Sequence, residues 1–209
     1  MTQIHEATDP GAGERLGPAA RAALLDALKR HARTPGEPLL IRVQGDAWRH
    51  EPDDLAQPVV SGQLHELVLR VHAAPGPVIV HVDGAVRGLG LGLALAADLR
   101  VAAPTATFGT GSPAAFLAGG AGRLLAGVAG TGVLAHLAWT GATLDAEEAL
   151  RHGLVGSVSA DPDAGAVLAA RVGAIGAGTA SALARALRGR DRPELTGALD
   201  YESWLAGVG

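Results

Sequence analysis

Residues 77–102, Pro77-Val-Ile-Val-His-Val-Asp-Gly-Ala-Val-Arg-Gly-Leu-Gly-Leu-Gly-Leu-Ala-Leu-Ala-Ala-Asp-Leu-Arg-Val-Ala102, read as a strand, a glycine turn, a buried helix and a second strand in immediate succession. A helix whose first turn is Gly88-Leu89-Gly90 carries its unladdered amides at its positive end, and the glycines let a ligand approach the main chain closely. Such a site suits an oxyanion.

The rest of the chain is read outward from that unit. Pro18 sits at a plausible first helical position, Leu24, Leu25 and Leu28 recur at helical spacing, and Lys29, Arg30, His31 and Arg33 crowd the carboxyl end of a helix closing near Pro35-Gly36. Leu39 to Val43 is a short buried strand, followed by a polar loop from Gly45 to Pro58. A helix over Gly62 to Ala73 places Leu64, Leu67, Val68 and Val71 on one face, with His65 and His72 together on its flank. His81 and Asp83 share one face of the Val78 strand. Thr105 to Phe108 reads as a strand, and Phe116 to Val128 and Gly132 to Trp139 as helices separated by glycines. Asp145 caps the next helix, Glu148 returns the bond, and Gly153 ends it. From Pro162 the chain is mostly helical, broken by Gly176, Gly178 and Pro193. Few strand candidates precede Pro18.

Composition sets outer limits. A chain of 209 residues, 48% of them apolar, can bury one substantial core, or one core plus a small appendage. The absence of cysteine excludes disulfides, thiolate metal sites and sulfur nucleophiles, and a single lysine, Lys29, nearly removes Schiff-base chemistry. A net charge of −4 with scattered arginines argues against a nucleic-acid surface. The amino terminus lacks a basic segment before an apolar run, and the most apolar stretch, Gly88 to Ala97, is too short to span a bilayer, so a cytoplasmic protein without a membrane partner is expected. His65 and His72 stand roughly 10 Å apart on a helix, too far to share a metal ion, and none is expected.

Two segments together resemble the crotonase, or enoyl-CoA hydratase/isomerase, superfamily. Residues 77–102 are similar to its pattern of proline, apolar strand, Asn-Gly, glycine triplet, apolar helix and Asp-apolar-Arg-apolar-Ala, with Asp83 standing for the asparagine. Trp139 to Val158 is similar to its Leu-Thr-Gly, Asp-Ala-Glu-Glu-Ala, Gly-Leu-Val block, and Ala106-Thr-Phe-Gly109 and Gly119-Gly-Ala-Gly122 fill the positions between. Gly88-x-Gly90-x-Gly92 has the wrong spacing for a dinucleotide fingerprint, and Gly111-Ser112-Pro113 is no nucleophile elbow.

The resemblance implies an α/β fold, a crotonase-like spiral of ββα units over residues 1–160, with a helical C-terminal region over 161–209 as an abbreviated trimerisation or lid segment. Both ends look short against the family's pattern, which leads us to expect a more open site or dependence on a partner. The resemblance further implies trimer-based homo- or hetero-oligomers, an acyl thioester substrate in which coenzyme A is part of the substrate and no separate cofactor is needed, and two backbone N–H groups that stabilise an enolate or tetrahedral oxyanion.

Carried over residue by residue, one donor is the N–H of Leu89, with Gly88 and Gly90 beside it as substrate-binding positions. For the other, anchoring on Trp48 gives Pro52, which has no N–H, and anchoring on Asp54-Leu55 gives Asp53, the counterpart adopted here; His50 would line the pocket mouth. The two glutamates that activate water in the family's hydratases correspond to Gly92 and Ser112, neither of which moves a proton as a carboxylate does. His65 occupies the helix position of a functional histidine in the dehalogenase branch and is the candidate base; the same position also suits a partly buried flank histidine. Ser112 is the candidate for orienting water or substrate, or equally a turn residue.

The expectation is a divergent crotonase-type enzyme of a specialised biosynthetic pathway, acting on an acyl-CoA or carrier-protein thioester. The alternative is a non-catalytic helper subunit that keeps the fold and works beside a pathway synthase.

Overall fold

The computed structural model describes residues 5–8, 17–48, 58–111, 118–188 and 192–208. The described elements are β1 (His5–Thr8), α1 (Pro18–His31), β2 (Leu39–Trp48), α2 (Pro58–His72), β3 (Val78–Arg87), α3 (Leu89–Ala96), β4 (Leu99–Ala102), β5 (Thr107–Gly109), a 3-10 turn (Ala118–Gly120), α4 (Ala121–Thr140), β6 (Thr143–Asp145), α5 (Ala146–Arg151), β7 (Ser157–Val158), α6 (Ala164–Gly173), α7 (Ala177–Arg188) and α8 (Arg192–Val208).

One sheet of seven strands organises them, with β1-β2-β3-β4-β7 all parallel and β6 antiparallel to β5. Strand β3 is the pivot. Residues 79–82 pair with β4, whereas residues 85–87 pair with β5. The hand-over falls beside Gly84, whose φ of 144° is a backbone state that side-chain-bearing residues rarely adopt. One long strand thereby serves two successive neighbours, which is the step of a spiral.

Pleat alternation divides the sheet's two faces. Val78, Val80 and Val82 join the main core with Leu64, Leu67 and Val71 of α2 and Leu89, Leu91 and Leu93 of α3. Ile79 and Leu40 look the other way, onto Ala169 of α6. All eight residues of α3 are buried, so this helix forms the interior of the unit and its first turn is held in a low-dielectric setting.

Several boundaries differ from the sequence reading. Strand β2 does not end at Val43 but continues through Trp48, with a register shift between Gly45 and Trp48. Helix α2 starts at Pro58, four residues before the expected Gly62. A strand does precede Pro18: His5–Thr8 pairs in parallel with residues 39–42, so main-chain bonding forms it despite its polar sequence. The two helices expected from Phe116 start later, at Ala121, and part at Gly130 with φ 84° and ψ 161°. Ala121–Thr140 is also long and apolar enough to cross a membrane by length and composition, which the sequence reading did not identify. Gly178 lies inside α7 and Pro193 is the second residue of α8, so neither breaks a helix; Gly176, with φ 88°, does.

Candidate active site

The glycine turn that opens α3 is held from both sides. Gly88 adopts φ 54° and ψ −118°, its N–H donates to Gly109 O at 3.2 Å, and its carbonyl accepts the Gly92 N–H at 3.1 Å. Leu89 and Gly90 follow at the first two helical positions. All three residues are buried.

At the far end, the Arg100 guanidinium donates to Ala97 O at 2.7 Å and to Leu154 O, with a longer contact to Ala94 O at 3.4 Å. Its neighbour Asp98 accepts the Val78 N–H at 2.8 Å and pairs with Arg188 at 2.7 Å. Arg188 also donates to the carbonyls of Val71, His72, Ala74 and Gly76. The Asp-apolar-Arg motif is thus a fastening: it fixes α3 to the end of α2 and so immobilises the amides at the other end of α3.

The second glycine pair closes on the same turn. Gly119 has φ 68°, and a β-carbon there would stand 2.5 Å from Leu89 Cδ1 and 3.4 Å from Leu89 Cα. A β-carbon on Gly120, with φ 70°, would stand 2.6 Å from Leu195 Cδ1 of α8. The Gly120 N–H donates to both carboxyl oxygens of Glu202, at 2.9 and 3.0 Å. Helix α8 therefore covers this region, and the more open site expected from a short C-terminal region is not what the described residues form.

His65, the expected base, faces that carboxyl. Its Nε2 lies 3.6 Å from Glu202 Oε2 and its Nδ1 lies 3.3 Å from Ser203 Oγ. Ser203 Oγ also donates to Leu199 O at 3.0 Å. Burial, opposed by nearby Asp200, lowers the His65 pKa. Burial raises the Glu202 carboxyl to about 8 against the lowering effect of the Gly120 and Gly119 N–H groups. Burial thus shifts both groups toward their uncharged forms.

Of the other expected positions, Gly92 is a buried glycine in the first turn and a half of α3 and supplies no carboxylate. His50, Pro52, Asp53 and Ser112 lie outside the described residues. His72 does not stay with His65: it lines a cavity of about 500 Å³ with Asp98 and Arg188. His81 and Asp83 do share a face and line one cavity, of about 360 Å³, with Arg42 and Asp161. That is the α6 face, so neither reaches the α3 turn.

Glu202 escaped the sequence reading, although a signal existed. Leu195, Leu199 and Glu202 fall at i, i+4 and i+7, on one helical stripe, and a carboxylate on an apolar stripe is a buried carboxylate.

With this geometry in hand, the likeness to known proteins is specific. The family profile described as Enoyl-CoA hydratase/isomerase matches residues 45–176. The chain belongs to the enoyl-CoA hydratase/isomerase family. Within that family it is similar to cyclohexa-1,5-dienecarbonyl-CoA hydratase of Thauera aromatica, with 35% identity over 157 residues that cover 74% of this chain and 57% of that one. The chain spans little more than half the length of that relative. Its fold matches the enoyl-CoA hydratase of Bacillus halodurans, at a TM-score of 0.79 and 20% identity over 93% of this chain and 85% of the other. It also matches ThnE of S. clavuligerus, at 0.75 and 20% identity over 98% and 95%. The glycine turn, α3 and the Asp98-Leu99-Arg100 motif all fall inside the matched residues of the enoyl-CoA hydratase/isomerase profile.

Proposed function

We propose that this chain acts in the cytoplasm, in a specialised biosynthetic pathway, on an acyl thioester presented by coenzyme A or a carrier protein, through an oxyanion-stabilised enolate or tetrahedral intermediate. The Leu89 N–H and, from the segment between β2 and α2, the Asp53 N–H donate to the thioester oxygen; Gly88 and Gly90 admit the acyl group to the main chain, His50 lines the mouth, Ser112 orients water or substrate, and His65 serves proton transfer. Removing a proton beside a thioester places negative charge on the carbonyl oxygen, and amides fixed beforehand stabilise that charge more than the neutral carbonyl. The observation that carries this reading is the start of α3: a buried, glycine-flanked first turn clamped at both ends of its helix.

Hydration of a simple enoyl-CoA by two glutamates is not the proposed reaction, because Gly92 and Ser112 stand where the family resemblance puts those carboxylates. Isomerisation, dehydration, decarboxylation and thioester hydrolysis each need only the oxyanion donors and one proton-transfer group. The Thauera relative's name makes a conjugated acyl-CoA the first thioester to try. The exposed face of α4, with Trp139 88% exposed, supports assembly into the trimer-based oligomer the resemblance implies.

The test is a panel of acyl-CoA and carrier-protein thioesters followed by mass spectrometry, with wild type and His65→Ala. Turnover by the wild type, lost in the variant, is expected. The loss of both family carboxylates favours one second reading, a non-catalytic helper subunit; no turnover together with co-purification of a pathway synthase would establish it instead.

A further inference from the structure

We infer that Glu202 is the proton-carrying carboxyl of this site, taking over from α8 the work of the carboxylates missing at Gly92 and Ser112. The inference rests on the acyl-thioester reading above and names the group that moves the proton within it. Four observations converge. The side chains of Glu202 and His65 are only 9% and 11% exposed, so the carboxyl is held in the interior. The carboxyl accepts the Gly120 N–H, and the adjacent Gly119 packs on Leu89 at the α3 start. A carboxyl oxygen lies 3.6 Å from His65 Nε2. Finally, both glycines have positive φ, a backbone state that side-chain-bearing residues rarely adopt, so the carboxyl and the proposed oxyanion donor are joined by a turn that favours glycine.

The step is a proton abstraction that balances without a co-reactant. The ionised carboxyl forms an O–H bond to the substrate α-hydrogen, the C–H pair moves into the enolate, and the negative charge comes to rest on the thioester oxygen at the Leu89 N–H. Return of that proton to the γ-carbon of an unsaturated acyl chain completes isomerisation, and its replacement on the carboxyl by a solvent deuteron before return to the α-carbon gives exchange. Among the described residues, the groups that act on Glu202 are His65 from α2 and the Gly119 and Gly120 amides from the turn, with Asp200 of its own helix acting on His65. Burial is the dominant influence on the carboxyl.

A purely structural role is the competing account, in which Glu202 only caps the start of α4. Glu202→Gln separates the two, since glutamine still accepts the Gly120 N–H but cannot take a proton. The experiment follows deuterium incorporation at the α-carbon of butanoyl-CoA in D2O for wild type, Glu202→Gln and Leu89→Pro; proline is tolerated at a first helical position while removing the amide. We expect exchange by the wild type, a fall of about 100-fold or more in Glu202→Gln with butanoyl-CoA affinity kept within about threefold, and loss in Leu89→Pro. Exchange lost in Leu89→Pro but kept in Glu202→Gln overturns the assignment of Glu202 alone. No exchange by the wild type overturns the enolate reading and this inference with it. The wild-type pH profile carries the test without any variant: the rate should climb to a plateau above pH 8, and a rate flat from pH 6 to 9 overturns the proposal.

Discussion

Glu202 Oε2 lies 3.6 Å from His65 Nε2, and this contact ties the C-terminal helix to the flank of α2. Each group is perturbed in the direction that keeps it uncharged: burial raises the carboxyl to about 8 and lowers the imidazole. The pair is thus two neutral partners whose titrations run in opposite senses from ordinary values.

That inversion has a consequence for stability. A carboxyl whose folded pKa exceeds its unfolded value of 4.5 binds more protons in the native state, so its contribution is complete below pH 4.5 and is lost as pH rises through 8. His65 works the other way: its folded pKa is depressed, and its contribution is present above 6.5 and lost as pH falls below it. Urea unfolding at pH 5 and pH 8 should therefore show wild type losing stability relative to Glu202→Gln as pH rises, on the order of a few kcal/mol at most. A difference independent of pH would contradict the burial of an uncharged Glu202.

The Asp98–Arg188 pair gives the largest stability effect. Arg188 satisfies one carboxylate and four carbonyls from a side chain 9% exposed, so Arg188→Ala leaves all of them without their donor. Removing one partner of a buried pair costs about 3–5 kcal/mol, and urea denaturation should find a loss in that range. A loss below about 1 kcal/mol would show that solvent replaces the guanidinium.

Glycine positions separate by what surrounds them. Gly119→Ala puts a methyl group 2.5 Å from Leu89 Cδ1 on a backbone of φ 68°, so stability should fall by about 1–3 kcal/mol and any turnover by more, because the displaced residue is the proposed oxyanion donor. Gly132→Ala meets nothing within 4 Å in the second half of α4 and should stabilise by about 0.5–1 kcal/mol. Thermal melts of the two variants should move in opposite directions.

Helix α5 offers a local check. Asp145 accepts the Glu148 N–H at 2.7 Å, and the Glu148 carboxylate accepts the Asp145 N–H at 3.1 Å. Asp145→Ala should cost about 1 kcal/mol by chemical denaturation. A neutral result would mean that β6 fixes the helix start unaided.

What could be read from the sequence was mostly local. The unit at 77–102 and the capping box at Asp145 and Glu148 are written in contiguous residues whose chemistry specifies their backbone, and both are present. Strand β1 was missed because His-Glu-Ala-Thr has no apolar alternation and is held by main-chain pairing with residues 39–42. The extension of β2 through Gln44-Gly-Asp-Ala-Trp48 was missed for the same reason, since its partner residues Asp83 to Val86 supply the ladder. His65 was legible as a candidate, but its partner stands 137 residues later; only the stripe of Leu195, Leu199 and Glu202 pointed to a buried carboxyl there. Asp98 and Arg100 were recognisable as a motif, whereas the role of Arg188 depended on a contact across 90 positions.

The central claim is that the first turn of α3 receives a thioester oxygen. A crystal structure of the protein with butanoyl-CoA bound tests it most directly: the account predicts the thioester oxygen 2.7–3.1 Å from the Leu89 nitrogen, as hydrogen-bond geometry requires (about 2.9 Å). A thioester seated elsewhere, with the Leu89 amide directed away from it, would contradict the account.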